Sequence, residues 1–184
     1  MIESYIKVIY NFIRFTIKKV VFRKNIDFKL IQTISLNTKI KTIDKGKLSL
    51  GYNVCISEYG SVFVGKNGNL KIGNRVYFNK GVFISCQNKI HIEQNCQFGP
   101  DVKIIDNNHK FSREEGVSTK EHTYGEITIG ENSWIGANAV LLKKAKIGKN
   151  CVIGAGCVIN QEIPDYSIVT LDSKNIVVES MRDN

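Results

Sequence analysis

The chain has 184 residues, 42% of them hydrophobic, and a formal net charge of +9. This length and composition are typical of a soluble globular protein with one sizeable core and short appendages. A positive excess usually suggests nucleic acid, an anionic membrane or phosphorylated ligands as partners. Over half of this positive excess lies in residues 1–30, which indicates a targeting or anchoring segment rather than a surface that reads nucleic acid. We therefore expect no nucleic-acid partner.

The five cysteines are odd in number and form no CxxC pair. Disulfide-stapled domains and zinc ribbons need paired cysteines at short spacings, so the pattern argues against both. We therefore expect a reducing, cytoplasmic location and no metal site. The longest uncharged run near the N-terminus, residues 8–13, is too short for a signal-peptide core or a membrane-spanning helix.

Residues 2–22 carry apolar side chains at steps of three and four and basic side chains on the opposite face, which predicts an amphipathic helix. One interpretation is a helix that caps one end of the domain. The other is peripheral membrane contact through residues 1–24, with the basic face toward anionic headgroups.

From residue 48 onward, a large apolar residue recurs mostly at every sixth position. A step of eight keeps the same phase if two extra residues bulge at a corner. Such a repeat predicts short strands with one inward side chain each, joined by turns of Gly, Asn or Asp. Three strands would close one coil, and coils would stack about 4.8 Å apart. The inward positions are Leu50, Ile56, Val64, Ile72, Phe78, Ile84, Ile92, Phe98, Ile104, Ile129, Ile135, Leu141, Ile147, Ile153 and Ile159.

A second set of small or β-branched residues recurs four positions after the inward residues. Three cysteines belong to it and so have a structural explanation as small buried side chains, which argues against a catalytic or metal role. The set comprises Val76, Val82, Cys96, Val102, Ser133, Ala139, Ala145, Cys151 and Cys157.

The repeat stops after Ile104 and resumes at Ile129, and the residues between are mostly polar and charged. Long insertions within a compact repeat are usually functional. We therefore expect the chemistry in an inserted loop, residues 105–126.

The hexads IGENSWIGANAVLL and IGKNCVIGAGCVINQEIP, preceded by an Asp-x-x-His loop, resemble the hexapeptide-repeat acyltransferases. Within that family they are similar to the sugar and polysaccharide O-acetyltransferases, such as maltose and galactoside acetyltransferases and those of O-antigen and capsule clusters. The resemblance covers roughly residues 48–170. It implies an all-β fold, a left-handed parallel β-helix over residues 31–170, with a helical segment at 1–30 and a tail at 171–184. It also implies a homotrimer with acetyl-CoA between neighbouring prisms.

His109 heads the inserted loop and aligns with the catalytic histidine of the family. A neutral histidine can act as general base toward a sugar hydroxyl. Asp106 either accepts a hydrogen bond from the ring and holds its tautomer, as in a triad, or builds a turn with the asparagines that follow. His91 is expected to be structural, and nothing in the sequence selects His122 for a role.

The resemblance also implies a cleft around the acceptor and the coenzyme. Trp134, the sole tryptophan, matches a family position whose aromatic ring lines the cleft, and Asn108 is assigned there too. The inward place beside Trp134 belongs to Ile135, so a core role for the tryptophan is disfavoured. The residues assigned to acetyl-CoA are Gly136, Ala137, Lys143, Lys144, Gly154, Ala155 and Asn160.

Some of these positions depart from the family pattern. Lys143 and Lys144 replace a common Pro-Gly and serve either as solvated charges or as contacts to coenzyme phosphates. Asn160 and Gln161 replace Thr-Lys, and residues 171–174 replace a Gly-Asn-Pro-Ala segment. The turn glycines of the Gly154–Gly156 corner also suit plain corner geometry.

The function expected from this resemblance is acetyl transfer from acetyl-CoA to a sugar hydroxyl of a surface polysaccharide or its precursor, without a metal. An N-acetyltransferase acting on an amino sugar is the nearest alternative. A metal-dependent hydratase is disfavoured because the spacing of His91, His109 and His122 does not match a three-histidine zinc site. A non-catalytic scaffold is the remaining alternative.

Overall fold

The computed structural model describes residues 2–21, 23, 25–172 and 175–180. Lys24, Ser173 and Lys174, which the sequence expectations include, lie outside the described residues, as do residues 181–184 of the tail. One helix, α1, spans Ile2–Val20. The strands are β1 Asn25–Phe28, β2 Thr33–Ile34, β3 Lys39–Thr42, β4 Lys47–Leu50, β5 Cys55–Ile56, β6 Ser61–Val64, β7 Asn69–Ile72, β8 Tyr77–Phe78, β9 Phe83–Cys86, β10 Lys89–Ile92, β11 Gln97–Phe98, β12 Lys103–Ile105, β13 Asn107–Ser112, β14 Gly116–Tyr124, β15 Glu126–Ile129, β16 Trp134–Ile135, β17 Val140–Leu142, β18 Lys146–Ile147, β19 Val152–Ile153, β20 Val158–Ile159, β21 Glu162–Ile163, β22 Ser167–Asp172 and β23 Asn175–Ser180.

The strands form the three faces of a prism. Sheet A has the order β1-β4-β7-β10-β15-β18-β21, sheet B the order β2-β5-β8-β11-β16-β19-β22-β23, and sheet C the order β20-β17-β12-β9-β6-β3. Neighbouring strands are parallel, apart from the antiparallel pair β22 and β23 at the C-terminal end. Because each sheet takes every third strand, the chain winds through about six coils, which confirms the predicted parallel β-helix.

The core consists of stacked inward side chains from successive coils. In sheet A, the register aligns Leu50 with Ile72, Ile72 with Ile92 and Ile92 with Ile129. Phe78 and Phe98 stack with ring centroids 4.5 Å apart in sheet B. All the predicted inward residues and all the predicted small residues are buried. Each large one contributes roughly 1.5–3 kcal/mol of burial free energy before ordering costs.

The steps of eight have a different origin from the predicted corner bulges. Strands β6 and β10 each have four residues, in which two alternate side chains point inward, such as Val62 and Val64. The two extra residues therefore lengthen a strand and add one buried side chain, because the period of a strand is two. The corners keep their turns, and residues such as Asn95 and Asn132 adopt positive φ there, as expected for turn-forming residues.

The coils begin before the expected boundary at residue 31. Strand β1 pairs with β4, and Phe28 lies in register with Leu50. The inserted loop is a β-hairpin, formed by β13 and β14. The tail forms β23 and extends sheet B, rather than leaving the prism at residue 171.

Helix α1 caps the N-terminal end of the prism with its polar face. Asn11 is fully buried and donates to the carbonyl oxygen of Ile34 at 2.7 Å. Arg14 donates to the carbonyl of Thr38 at 2.9 Å, and Lys18 to that of Ile40 at 2.8 Å. The first coil has a neighbouring coil on one side only, so these carbonyls need donors from elsewhere.

This arrangement leaves the apolar side of the helix exposed, the reverse of an ordinary surface helix. Of the apolar helix residues, Phe15 is fully buried. The expected orientation of the basic face toward headgroups is therefore wrong, because three side chains of that face bind the first coil. The described residues contain no helix that is long and apolar enough to cross a bilayer. We call the exposed side the outer helix face, and it comprises Tyr5, Ile6, Ile9, Tyr10, Phe12, Ile13, Ile17, Val20 and Val21.

The reversed helix yields a test of stability. Replacing Asn11→Ala removes a buried donor and leaves the Ile34 carbonyl without its partner, so we expect the free energy of unfolding to fall by about 1–3 kcal/mol. Ile9→Ala, on the outer helix face, should change it by less than about 0.5 kcal/mol. Urea denaturation of both variants measures the difference. A larger loss for Ile9→Ala would contradict the described orientation of the helix.

Candidate active site

The insertion hairpin, residues 107–124, leaves the prism at the corner where sheet C meets sheet A. Its strands align Asn107 with Tyr124 and His109 with His122, and the register shifts between His109 and Phe111. The shift gives β14 extra residues opposite Lys110, whose ammonium pairs with the carboxylate of Glu121 at 2.8 Å on the surface. The irregularity turns the backbone of Ser118 toward the ring of His109.

His109 is exposed and is held through one ring nitrogen. Its Nδ1 lies 3.0 Å from the backbone carbonyl oxygen of Ser118. Because a carbonyl oxygen can only accept, Nδ1 must carry the hydrogen of this bond, which in the neutral ring leaves Nε2 with a free lone pair. The ring of His122 lies against it, with centroids 4.5 Å apart. The hairpin thus presents an oriented imidazole with an available base.

Asp106 does not orient His109. Its side chain is fully buried, and its two carboxylate oxygens accept from the backbone N–H groups of Gln87 and Asn88, each at 2.8 Å. Asn107 donates to the same carboxylate through its side-chain amide at 3.1 Å. Of the two interpretations of Asp106, the structure therefore favours a turn-building role. The carboxylate ties the base of the insertion hairpin to the corner of the coil before it.

The other predicted residues near this corner lie on the hairpin itself or in the two coils that follow it along the chain. Lys143 donates to the hydroxyl of Thr123 at 2.7 Å, so its ammonium binds the second strand of the hairpin. Lys144 is exposed and adopts a φ of 76°, a conformation that glycine would adopt without strain. Asn160, in the corner of the next coil, and Asn108, on β13, are both exposed.

Trp134 lies on the outer face of sheet B and is 55% exposed. Its neighbours Ser133 and Ile135 are both fully buried, which accounts for the outward direction of the indole. The hydroxyl of Ser133 donates to the carbonyl of Gly148 at 2.9 Å and accepts from the N–H of Cys151 at 3.0 Å. The tryptophan is therefore a large apolar surface on a rigid support.

The remaining predicted residues form the corner between sheets B and C. Gly136 packs tightly there, since a Cβ at this position would lie 2.6 Å from the backbone nitrogen of Ala155. The carbonyl of Ala137 accepts from the N–H of Gly156 at 2.8 Å. In the described part of the chain, the N–H groups of Ala137 and Ala155 donate to no protein acceptor.

Within one chain, the hairpin that carries His109 and the corner that carries Ala137 and Ala155 lie at different edges of the prism. The insertion hairpin begins at the corner between sheets C and A, whereas Ala137 and Ala155 form the corner between sheets B and C. Strand β17, three residues long, separates these corners in its coil by about 10 Å.

The cysteines and histidines suggest no further reactive centre. Burial, with the Asp106 carboxylate as the second cause, raises the pKa of the Cys86 thiol to about 12. Burial also lowers the pKa of His91, which lies on β10 in sheet A and not on the hairpin. Within the described ranges, no group of three or more His, Cys, Asp or Glu side chains is placed to hold a metal ion.

Comparisons with known proteins agree with this fold. The family model described as bacterial transferase hexapeptide (six repeats) matches residues 126–161. The galactoside O-acetyltransferase of Lactococcus lactis is 32% identical over 125 residues, which cover 66% of this chain and 57% of the relative. The chain therefore contains the bacterial transferase hexapeptide repeat and is similar to the hexapeptide-repeat acyltransferases. It spans somewhat more than half the length of this curated relative.

Two solved structures show the same architecture. A hexapeptide-repeat-containing acetyltransferase from Vibrio cholerae is 25% identical, with a TM-score of 0.60, over 73% of this chain and 74% of that chain. The N-acyltransferase AntD from Bacillus cereus, as a point mutant in complex with dTDP-4-amino-4,6-dideoxyglucose and coenzyme A, has a TM-score of 0.71 at 15% identity, over 93% of this chain and 90% of that chain. The likeness to AntD shows the fold alone.

The structural role of Asp106 can be tested. In an Asp106→Asn variant, an amide NH2 would face a backbone N–H, so we expect a loss of about 1–3 kcal/mol in the free energy of unfolding. The control Asp101→Asn removes the same charge from an exposed corner position and should cost less than about 0.5 kcal/mol. Chemical denaturation measures both. Unchanged stability together with lost activity would instead assign the carboxylate to catalysis.

Proposed function

We propose that this protein is an acetyl-CoA-dependent O-acetyltransferase that acts on a sugar hydroxyl of a surface polysaccharide or its precursor. The observation that carries the proposal is the orientation of His109, whose Nδ1 is bound to the Ser118 carbonyl, so that the lone pair of the neutral ring lies on Nε2. The galactoside O-acetyltransferase relative supports the reaction and the class of acceptor. The five unpaired cysteines, four of them buried, support a cytoplasmic location.

His109 would act as the general base. Its Nε2 takes the proton of the acceptor hydroxyl as the oxygen attacks the thioester carbonyl of acetyl-CoA, and the ring then protonates the departing thiolate of the coenzyme. The hydrogen bond to Ser118 holds the tautomer throughout, which is the role that the aspartate has in a triad. General-base catalysis of this kind typically contributes about 10²- to 10⁴-fold.

The N–H of Ala137, which donates to no acceptor in the described part of the chain, would stabilise the tetrahedral oxyanion. A backbone N–H that has no partner before the reaction is preorganised for the developing negative charge and needs no rearrangement. The adjacent N–H of Ala155 and the exposed indole of Trp134 would border the coenzyme arm and the acceptor. Lys143 is tied to Thr123 and would position the hairpin, whereas Lys144, which is exposed, remains the better candidate for a coenzyme phosphate.

We propose that this site forms between the copies of a homotrimer. The base lies at one corner of the prism and the oxyanion donor at another, so His109 of one copy would face Ala137 of its neighbour. Three copies close such a heterologous contact into a ring, which gives three equivalent sites.

Transfer to oxygen is favoured over transfer to an amino group. The relative named as an O-acetyltransferase is 32% identical, whereas the N-acyltransferase AntD shares 15% identity. A sugar hydroxyl also needs a base more than an amine does, because a neutral hydroxyl is a poor nucleophile until it loses its proton, whereas a neutral amine already carries a reactive lone pair. The oriented His109 supplies that base. A screen for activity should therefore include both sugars with free hydroxyls and amino sugars as acceptors.

Coenzyme binding and assembly are tested together. Titration of acetyl-CoA into the purified protein by calorimetry should show saturable binding in the presence of a chelator. Light scattering should give three times the 20.7 kDa chain mass. A monomer, or the absence of any binding, would remove the proposed site between copies and favour a non-catalytic scaffold.

The base is tested by paired substitutions in the insertion hairpin. His109→Ala should lower turnover about 10²-fold or more with unchanged acetyl-CoA affinity, since it removes the proton acceptor and not the coenzyme contacts. His122→Ala, across the hairpin, is the matched control and should lower turnover less than about tenfold. Steady-state kinetics with the best acceptor from the screen gives both values. Equal effects of the two variants would show that turnover depends on the contact between the two rings and not on a base at His109.

A further inference from the structure

The outer helix face is a continuous apolar surface that the described part of the chain leaves uncovered. Ile6, Ile9 and Ile13, one turn apart along it, are 55%, 61% and 51% exposed. Isolated exposed apolar residues are ordinary, but a contiguous apolar face usually marks an interaction site. The polar side of α1 is occupied by the first coil, so rotating the helix to bury this face would break the hydrogen bonds of Asn11, Arg14 and Lys18.

The apolar surface continues from the helix onto the first coil. A groove of about 350 Å³ lies between the helix residues Ile9 and Phe12 and the coil residues Phe28, Leu30 and Ile31. Leu30 is 64% exposed and Ile31 is 39% exposed. The surface is therefore a property of the whole N-terminal end of the prism and not of the helix alone.

Basic residues border this surface. Lys19, Arg23 and Lys29 are exposed beside it, and Asp27, 3.5 Å from Lys19, is the acidic residue among them. Over residues 1–30 the sequence has seven basic residues against two acidic ones. A large apolar face with a positive border complements an anionic lipid surface, where acyl chains meet negatively charged headgroups.

The charge argues against a second copy as the occupant. Pairing two such faces would bring two clusters of positive charge together, and each chain has a formal net charge of +9. The face also points away from the end of the prism, because the opposite side of the helix binds the first coil. In parallel copies around a threefold axis, which the proposed function includes, three such faces would lie on one end of the assembly.

We propose that α1 binds the surface of an anionic bilayer through its outer helix face, while its polar face holds the prism. Tyr5, Ile9, Ile13 and Ile17 enter the boundary between headgroups and acyl chains, and Lys19 and Lys29 contact the anionic headgroups. The orientation is the reverse of the one expected from the sequence. The proposal does not depend on the proposed reaction, because any activity of the prism would be brought to the membrane in the same way.

Vesicle flotation with the full chain tests the proposal. Binding is measured to vesicles of phosphatidylcholine alone and to vesicles with an equal share of phosphatidylglycerol. We expect binding to the anionic vesicles and a partition coefficient at least about tenfold lower for the double variant Ile9→Glu/Ile13→Glu. Val117→Glu is the matched control, since Val117 is 66% exposed on the insertion hairpin and should bind as the unchanged protein does.

Light scattering and circular dichroism on the same samples complete the test. The double variant should keep its mass and its thermal midpoint, because both isoleucines are exposed. A failure of the unchanged protein to float with anionic vesicles would overturn the proposal, as would equal flotation of the double variant. A change in oligomeric mass would also overturn it, because the face would then be a contact between copies.

Discussion

The stacking of parallel coils is the constraint on which the rest of the structure depends. Every strand of the prism except those of its end coils bonds to the coil before and the coil after it, so backbone groups are satisfied along the prism and unsatisfied at its ends. The N-terminal end solves this problem with donor side chains from a helix. Asn11, Arg14 and Lys18 are donors of the kind that exposed carbonyls require. The C-terminal end solves it differently, by folding β23 back against β22.

The same stacking fixes the position of the candidate base. A hairpin inserted into a coil can leave the prism only at a corner, because any other point would interrupt a ladder of hydrogen bonds. The buried carboxylate of Asp106 secures that corner to the coil below, and Lys143 secures the second strand to the coil above. The prism thus positions the ring of His109 indirectly, through the contacts that Asp106 and Lys143 make at the base of the hairpin.

Much of the prism was predictable because its determinant is a short sequence period. Inward residues such as Ile135 and Ile153 follow from the step of six, and the outward direction of Trp134 follows from its neighbour. The hexad pattern is evident only from residue 48, because Thr42, a buried polar residue, takes the inward place that Val64 has in the next coil. Polar substitution at one inward position was enough to interrupt the apolar pattern.

The details of the candidate site could not be predicted from the sequence, for a different reason. The group that orients His109 is a backbone carbonyl, and every residue carries one, so no side chain in the sequence signals Ser118. Its position results from the register shift of the insertion hairpin, which depends on pairing across the strands. The sequence alone does not identify the partners of Asp106, because the N–H groups of Gln87 and Asn88 come from the preceding coil.

The position of the insertion along the prism connects the two proposals. The hairpin leaves after the fourth coil, three coil spacings of about 4.8 Å from the first coil and the helix that covers it. With the outer helix face in a lipid surface, the base of the hairpin would stand on the order of 20 Å above that surface. A lipid headgroup lies at the surface itself, too far from such a site. A glycan chain that extends from the membrane would reach it, so the two proposals together favour an extended polysaccharide or a long lipid-linked precursor as acceptor over a lipid-linked monosaccharide.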